Sequence, residues 1–452
     1  MTFADSVRAA SKEMTARNYQ GAEFLFREAL KQEPGNVQVL FNLAHALHQQ
    51  GRWQECAEIY GDILLLPGEY PREKAAAANN LGLMVLNFGR YEEAIVSFRL
   101  ALELDPDLTA AHNNIGTAHL HLGQYGNAQA SYDKALSLDA DCWDARMSCG
   151  TIKLLMGDMP RGWREYEHRW KASNLQTIPI RHKKPRWKGQ DLKGKTILLT
   201  SEQGLGDAIM GIRYAWLVKD REPARIVHHG HAETVDLFAG VECLDQRTAE
   251  HDPNDIDPTS YDYHCPLFSL PDVFGTRLGN IPASVPYIHV EGAIDLPDNG
   301  RPKIALAWAG SPGHKRDRER SIDLATLAPL LSINADFYGI QKGQRAEQIK
   351  GFPQITDLTP RLKTLTDTAQ ALNAMDLLIS VDTMLIHLAG ALARPVWSMI
   401  PRYPDWRWML SGDTSPWYPT MRLFRQETTW DDVVDRIKRE YEHRGLHPQP
   451  AC

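Results

Sequence analysis

Cysteine is scarce in this chain: Cys56, Cys142, Cys149, Cys243, Cys265 and Cys452 are the only six in 452 residues, and no two form a C-x-x-C pair. That excludes the usual zinc-finger spacing and speaks against a disulfide scaffold. No uninterrupted apolar run approaches the roughly 20 residues that a membrane-crossing helix needs. The N-terminus lacks a basic stretch followed by an apolar one, so no secretory signal is expected. An excess of positive charge is also missing. Lys and Arg number 50 against 57 Asp and Glu, a formal net of −7, which leaves no general electrostatic footprint for nucleic acid. Hydrophobic residues make up 43%, an ordinary globular share. The expectation is a cytoplasmic, soluble chain of roughly three folding units.

What is present, first, is self-similarity. One copy of a pattern runs Leu81, Gly82, Gly89, Tyr91, Ala94, Phe98, Ala101 and Pro106; 34 residues on it recurs as Ile115, Gly116, Gly123, Tyr125, Ala128, Tyr132 and Ala135. Stepping back by 38 finds Gly51, Trp53 and Tyr60, and a further 34 finds Tyr19, Ala22, Phe26, Ala29 and Pro34. The four extra residues fit an insertion in Pro67–Lys74, and a worn fifth copy keeps Gly150, Gly157 and Tyr166. The pattern predicts a pair of antiparallel helices per copy. Gly82, Ala94, Gly116 and Ala128 sit where helices approach closely, while Phe98 and Tyr132 are expected to fill the gap to the next copy. Gly51, Gly89, Gly123 and Gly157 end each first helix, where a positive φ favours glycine. Pro34 and Pro106 stop the second helix.

These motifs resemble the tetratricopeptide repeat (TPR) family over about residues 3 to 176. The resemblance implies a superhelix whose concave face holds a peptide or protein. Asn42, His45, Asn79, Asn80, His112, Asn113 and His119 on the first helices either supply hydrogen bonds there or are solvated helix faces.

Composition changes near residue 173. Ser173–Lys195 carries two prolines and a basic cluster (Arg181, Lys183, Lys184, Arg186, Lys188) around Trp187, read as a linker packed on the next domain or as an anion site. The run Lys195–Ser201 predicts a strand. It passes through Glu202-Gln203-Gly204-Leu205-Gly206 to Asp207 and an amphipathic stretch ending at Lys219. Strand, glycine turn and helix open a nucleotide-binding type of α/β lobe. Ile209 stands where a dinucleotide fingerprint needs its third glycine, and the absence of Gly-Lys-Ser/Thr excludes a P-loop. A second unit starts at Lys303–Ala309, with further strands at Asp336–Ile340, Asp376–Val381 and Pro395–Ile400. Helices are expected from about Asp367, from Asp382-Thr383 through Ala393, and over Asp431–Arg444. The alternation implies two doubly wound sheets facing one cleft.

In such sheets a ligand binds beyond the carboxyl ends of the strands. The helix opened by Asp382-Thr383-Met384-Leu385 would stabilise a phosphate through free N–H groups and the helix dipole. Asp382 or Thr383 is alternatively a simple N-cap. Asp207 stands at a helix start, which makes it a helix cap and lowers the pKa of its carboxyl. Asp255-Ile256-Asp257 has the D-x-D form of a metal-bound phosphate site but lies in an acidic, proline-bounded stretch that reads as an exposed loop. His228, His229 and His231 are close in sequence but lack a nearby Cys or carboxylate to complete a zinc site. The aromatic runs Tyr403–Trp408 and Ser415–Pro419 either wall the cleft or pack the surface between lobes.

The run Ser380 to Ala389 (SVDTMLIHLA) resembles the donor-binding motif of the ADP-heptose:lipopolysaccharide heptosyltransferase family, and Gly204-Leu205-Gly206-Asp207 is similar to that family's first loop. The resemblance spans about residues 195 to 440. It implies a GT-B fold, metal-independent transfer and inversion at the sugar carbon. It places Asp207 on the catalytic base, and Asp382, Thr383, Met384, Leu385 and His387 on donor contacts, with Gly204 and Gly206 in the first loop. Ser311 and Arg320 fall on positions that hold the donor phosphates, and Gln341 on the loop near the base. Arg320, Lys315 and the helix start near Met384 would stabilise the leaving nucleotide. Met384 departs from the family, which commonly has glycine there, and leaves the donor sugar open.

The expected fold class is α followed by α/β: a TPR solenoid at 1–172, a linker at 173–194, an acceptor-side lobe at 195–295, a nucleotide-sugar lobe at 296–430, and a closing helix and tail at 431–452. Bacterial proteins of this architecture resemble flagellin glycosyltransferases. The expected function is therefore inverting transfer from a nucleotide-sugar to a hydroxyl of a protein held by the repeats, with flagellin as the acceptor suggested and no metal or other cofactor. The alternatives are a non-catalytic adaptor that retains the nucleotide-binding scaffold, or a transferase acting on a lipopolysaccharide glycan.

Overall fold

A computed structural model of the chain describes residues 1–172, 184–249, 257, 259–314 and 316–444. It divides into two compact units, one made by residues 1–149 and one in which residues 150–170 join the α/β region.

The first unit is built from successive helices: α1 (Phe3–Thr15), α2 (Tyr19–Gln32), α3 (Val37–Gln49), α4 (Trp53–Leu65), α5 (Pro71–Asn87), α6 (Tyr91–Leu104), α7 (Thr109–His121), α8 (Tyr125–Leu138) and the start of α9 (Trp143–Leu155). Gly51, Gly89, Gly123 and Gly157 follow the first helix of their copies at φ of 74°, 78°, 68° and 85°, the left-handed region that costs a Cβ-bearing residue. Close approach explains the small residues. A Cβ on Gly82 would lie 2.5 Å from the Phe98 ring, and one on Gly116 would lie 2.6 Å from the Tyr132 ring. The large rings seat on glycines of their own repeat, and Phe98 also packs with Ile115 of the next copy, as expected of a residue that fills the gap between copies. The four-residue insertion lies in the connection after α4 and the first turn of α5, a helix of 17 residues.

The polar residues of the first helices are largely committed to one another. Asn114 donates to the buried Asn79 at 2.9 Å, Asn80 to the Tyr60 hydroxyl at 3.2 Å, and Asn113 to Asn114 at 3.4 Å. Asn42 accepts from Gln38, His45 contacts Gln49, His112 contacts the Pro106 carbonyl, and His119 contacts Gln124. Neither expectation, free peptide donors or plain solvated faces, describes Asn79.

The second unit begins inside α9, continues through α10 (Met159–Tyr166) and a 3₁₀ turn at Glu167–Lys171, and then holds both sheets. The fifth repeat thus packs with the α/β region, and the boundary expected at residue 172 falls near residue 150. The reason is composition: Trp163 and Tyr166, both buried, find aromatic partners in Trp406 and Trp417. Of the linker, Arg181 and Lys183 lie outside the described residues, while Trp187 is buried against Phe274, as a packed linker requires.

The first sheet holds β1 (Thr196–Thr200), β2 (Arg225–Gly230), β3 (Gln246–Ala249) and β4 (Tyr263–Pro266), all parallel, in the order β3-β2-β1-β4. Short helices α11 (Leu205–Gly211), α12 (Tyr214–Lys219), α13 (Thr234–Leu237) and α14 (Leu270–Val273) connect and cover it. The second sheet holds β5 (Lys303–Ala307), β6 (Asp336–Gly339), β7 (Ile355–Asp357), β8 (Leu377–Val381), β9 (Val396–Ile400) and β10 (Met421–Arg425), again parallel, in the order β10-β9-β8-β5-β6-β7. Its helices are α15 (Asp317–Arg320), α16 (Leu365–Asn373), α17 (Met384–Ala391) and α18 (Trp430–Arg444).

Renumbered from its first strand, the second sheet has the classical doubly wound order, and its topological switch lies between β5 and β8. Continuous apolar runs such as Leu377–Val381 are buried throughout, as strands covered on both faces must be. The closing helix α18 returns to this sheet: Val433, Val434 and Ile437 share its core with Leu306, Leu324 and Phe424. No helix among the described residues is long and apolar enough to cross a membrane.

Candidate active site between two switch points

Each sheet has its switch beside its first strand, so the turns after β1 and β8 both emerge where a ligand would be bound. These two turns meet. A Cβ on Gly206 would lie 3.0 Å from His387 Cδ2 and 3.4 Å from Met384 Cα. A side chain there would force the start of α17 away by a few tenths of an ångström.

Asp207 sits in the first turn of α11. Its Oδ2 accepts from the Gly204 N–H at 2.9 Å, which is the cap, while its Oδ1 is ion-paired with Arg407 from the loop after β9. The carboxylate keeps 22% of its side-chain surface exposed. Burial raises its pKa above the usual carboxylate value, with Arg407 and the Gly204 N–H pulling the other way. The expected lowering by the helix start does not prevail. Desolvation penalises the charged form more than one N–H and one guanidinium favour it.

Arg407 is the hub of the site. It is ion-paired with Asp207 and, at 2.7 Å, with Asp405, and its guanidinium lies 4.2 Å from the Trp406 ring centroid. Burial would raise the Asp405 carboxyl, but Arg407 outweighs it and holds the group low. The two carboxylates in turn keep Arg407 firmly protonated against the cost of its burial.

In the second lobe Thr383 caps α17, its Oγ1 accepting from the Leu385 N–H at 3.3 Å. Asp382 Oδ2 accepts from Trp408 Nε1 at 2.8 Å, and the Asp382 carbonyl accepts from Arg320 at 2.9 Å. Burial, then the nearby Asp405, pushes the Asp382 carboxyl up to about 6. His387 is buried, contacts the Tyr418 hydroxyl through Nδ1 at 2.9 Å, and stacks on Trp408. Burial and then Arg407 hold His387 well below its ordinary value, as the neutral imidazole.

Arg320 lies across the turn after β5. A Cβ on Gly310 would meet its guanidinium at 2.5 Å, and its buried Nε has no hydrogen-bond partner. Ser311, on the same turn, is exposed. Gln341 is otherwise occupied. Its Oε1 accepts from the Trp308 and Ala309 N–H groups at 3.0 and 2.8 Å, and its Nε2 donates to the Lys342 carbonyl. It ties the ends of β5 and β6 together and so shapes the Ala309–Ser311 turn. Lys315, Asp255 and Ile256 lie outside the described residues. His228 and His229 are buried on β2, contacting Ser201 and Thr248.

The aromatic runs resolve as packing between lobes. Trp406, Trp408, Trp417 and Tyr418 are buried. Arg213, also buried, interrupts the expected helix between α11 and α12. It donates to the Trp417 carbonyl at 2.6 Å and to the Tyr287 hydroxyl at 3.0 Å. Arg407, Asp405, Trp408 and Arg213 are site residues that sequence reasoning missed. The available signal was a cation and an acid embedded in the tryptophan run Tyr403–Trp408, since charges amid aromatics are buried only when paired.

Tetratricopeptide repeat profiles match residues 13–78, 88–123 and 109–142. The glycosyltransferase family 9 (heptosyltransferase) profile matches residues 335–402, which include Gln341 and Asp382–His387 but not Asp207. Protein FlbA of Caulobacter vibrioides is 28% identical over 446 residues, covering 89% of this chain and 72% of FlbA. Among solved structures, one of Pseudomonas aeruginosa pilF is 17% identical, covers 48% of this chain and 85% of that one, and has a TM-score of 0.36. One of a thermophilic TPR protein from Thermus thermophilus is 21% identical, covers 38% and 92%, and has a TM-score of 0.31. The chain joins tetratricopeptide repeats in its N-terminal region to a glycosyltransferase family 9 domain.

Proposed function

We propose that the α/β unit transfers a sugar from a nucleoside-diphosphate donor to a hydroxyl, with inversion and without a metal. The observation that carries this reading is the meeting of the Asp207 turn with the Asp382–His387 turn through Gly206. It brings a carboxylate-bearing turn and a helix start together at the strand ends of two sheets, which supports the reading.

In this reaction Asp207 takes the acceptor hydroxyl's proton as the oxygen bonds to the anomeric carbon. The bond from that carbon to the donor phosphate breaks on the opposite face, and the diphosphate leaves with the electron pair. A carboxylate raised by burial is a stronger base than an ordinary one. Arg320, whose Nε makes no hydrogen bond and lies 3.6 Å from Asp317 Oδ1, and the start of α17 would stabilise the leaving charge. Arg407 must share or release Asp207 as the proton arrives.

The acceptor is a protein held by the repeats, which raises the effective concentration of its hydroxyls; flagellin is the acceptor this architecture suggests. The test is turnover of a panel of nucleotide sugars, preceded by thermal shift with nucleoside diphosphates, since a ligand of the native state stabilises it. Transfer lost in Asp207→Asn with donor binding retained supports the reading. Wild-type transfer by that variant removes Asp207 from its role. The Arg407 ion pair favours a second reading, a nucleotide-binding adaptor, which predicts binding without transfer to any acceptor.

A further inference from the structure

The fifth repeat does more than end the solenoid. Arg169, fully buried in the 3₁₀ turn after α10, grips Glu202 with two hydrogen bonds of 2.7 Å, from Nε and from one terminal nitrogen. Glu202, also buried, accepts from the Phe268 N–H at 3.1 Å, and Arg169 donates to Ser269 at 3.0 Å. A bidentate, charge-assisted pair of this kind fixes geometry as well as adding energy. It anchors the loop just beyond β1.

The next residue, Gln203, has a φ of 63°, a left-handed conformation that a Cβ-bearing residue avoids unless its surroundings impose it. Its Nε2 donates to the Tyr166 hydroxyl at 2.8 Å. That conformation sets the orientation of the following peptide, whose N–H, on Gly204, is the one that Asp207 Oδ2 accepts. A chain of contacts therefore runs from α10 through Gln203 and the Gly204 N–H to the carboxylate.

We infer that Tyr166 is a positioning residue for glycosyl transfer, holding Gln203 so that the Gly204 N–H orients Asp207 for proton abstraction. This rests on the reading of Asp207 as the base. The last repeat is on this account part of the transferase site, and its second helix has a task that the helices before it do not share.

Tyr166→Phe in the full chain tests it, because only the hydroxyl is lost. The ring stays wedged against Trp163 and Trp406 and under the Arg169 guanidinium, so the melting temperature should hold. Turnover at saturating donor should fall about fivefold to tenfold, the scale of one hydrogen bond, with donor KM unchanged. Hydrogen exchange at the Gly204 amide should quicken by a similar factor. In a Gln203→Gly background, where residue 203 has no side chain to bond the Tyr166 hydroxyl, the same substitution should change neither quantity further. Wild-type exchange at Gly204 overturns the inference, as does wild-type turnover in an active enzyme. A wild-type chain that transfers no sugar refutes the proposed function instead, and the exchange measurement still decides the positioning.

Discussion

The two units solve the problem of close approach differently. In the repeats the decisive contacts are local: Gly82 meets Phe98 and Gly116 meets Tyr132, 16 residues along in each case. In the α/β unit they are remote. Arg407 reaches Asp207 200 residues away, and Arg213 reaches Trp417 across 204. Local contacts repeat with the sequence and can be lost one at a time. The remote ones are single, buried and charged, so each carries more.

The sharpest way to press this comparison is Asp207→Asn. A general base contributes on the order of 10²–10⁴ in rate, so transfer should fall by about that factor in a steady-state assay while donor affinity is kept. Arg407→Met comes next. It leaves the part-exposed Asp207 and Asp405 unpaired, so the loss should fall below the about 3–5 kcal/mol of a fully buried pair, to be read from urea unfolding of the α/β unit. Equal loss in a repeat-unit probe would mean that the two units unfold as one.

Smaller effects belong to the repeats. Gly116→Ala drives a methyl into the Tyr132 ring at 2.6 Å, and such overpacking costs about 1–3 kcal/mol. It should lower the melting transition of the repeats and leave transfer to a small glycan acceptor untouched. Gly89→Ala, at a φ of 78°, should cost about 1–2 kcal/mol in the same transition.

The mildest test is pH. Asp382 sits at about 6 against an ordinary 3.8, so between these values the folded chain binds more protons than the unfolded one. Its contribution to stability is full below the lower value and is lost as pH rises through about 6. Asp382→Asn should flatten that part of the stability profile, measured as melting temperature against pH. An unchanged profile would place the titration elsewhere.

Much of the fold could be read in advance because it rests on periodicity. The repeat glycines mark helix ends, and the strands at Lys303, Asp376 and Pro395 begin within a residue of where apolar runs predict them. Part of the candidate site was legible for a related reason: Asp207 and Asp382 follow strands, and strand ends are where α/β sheets bind ligands. Arg407 was not: the tryptophans beside it signal a paired charge, but its partner Asp207 lies 200 residues away. Gln341 could not be assigned from its place, because a polar residue beyond a strand serves a ligand or the backbone equally well. The fifth repeat carries the same two glycines as the third and fourth, yet Trp163 and Tyr166 commit it to the other unit.

Sequence alone determined the kind of each element and the order of the units, because helix caps, left-handed glycines and apolar runs act over a few residues at a time. Tertiary structure alone decided which charges are paired, that Asp207 is raised and not lowered, and that the last helical hairpin belongs beside the sheets. Those outcomes depend on desolvation and on partners hundreds of residues distant, and neither has a local signature.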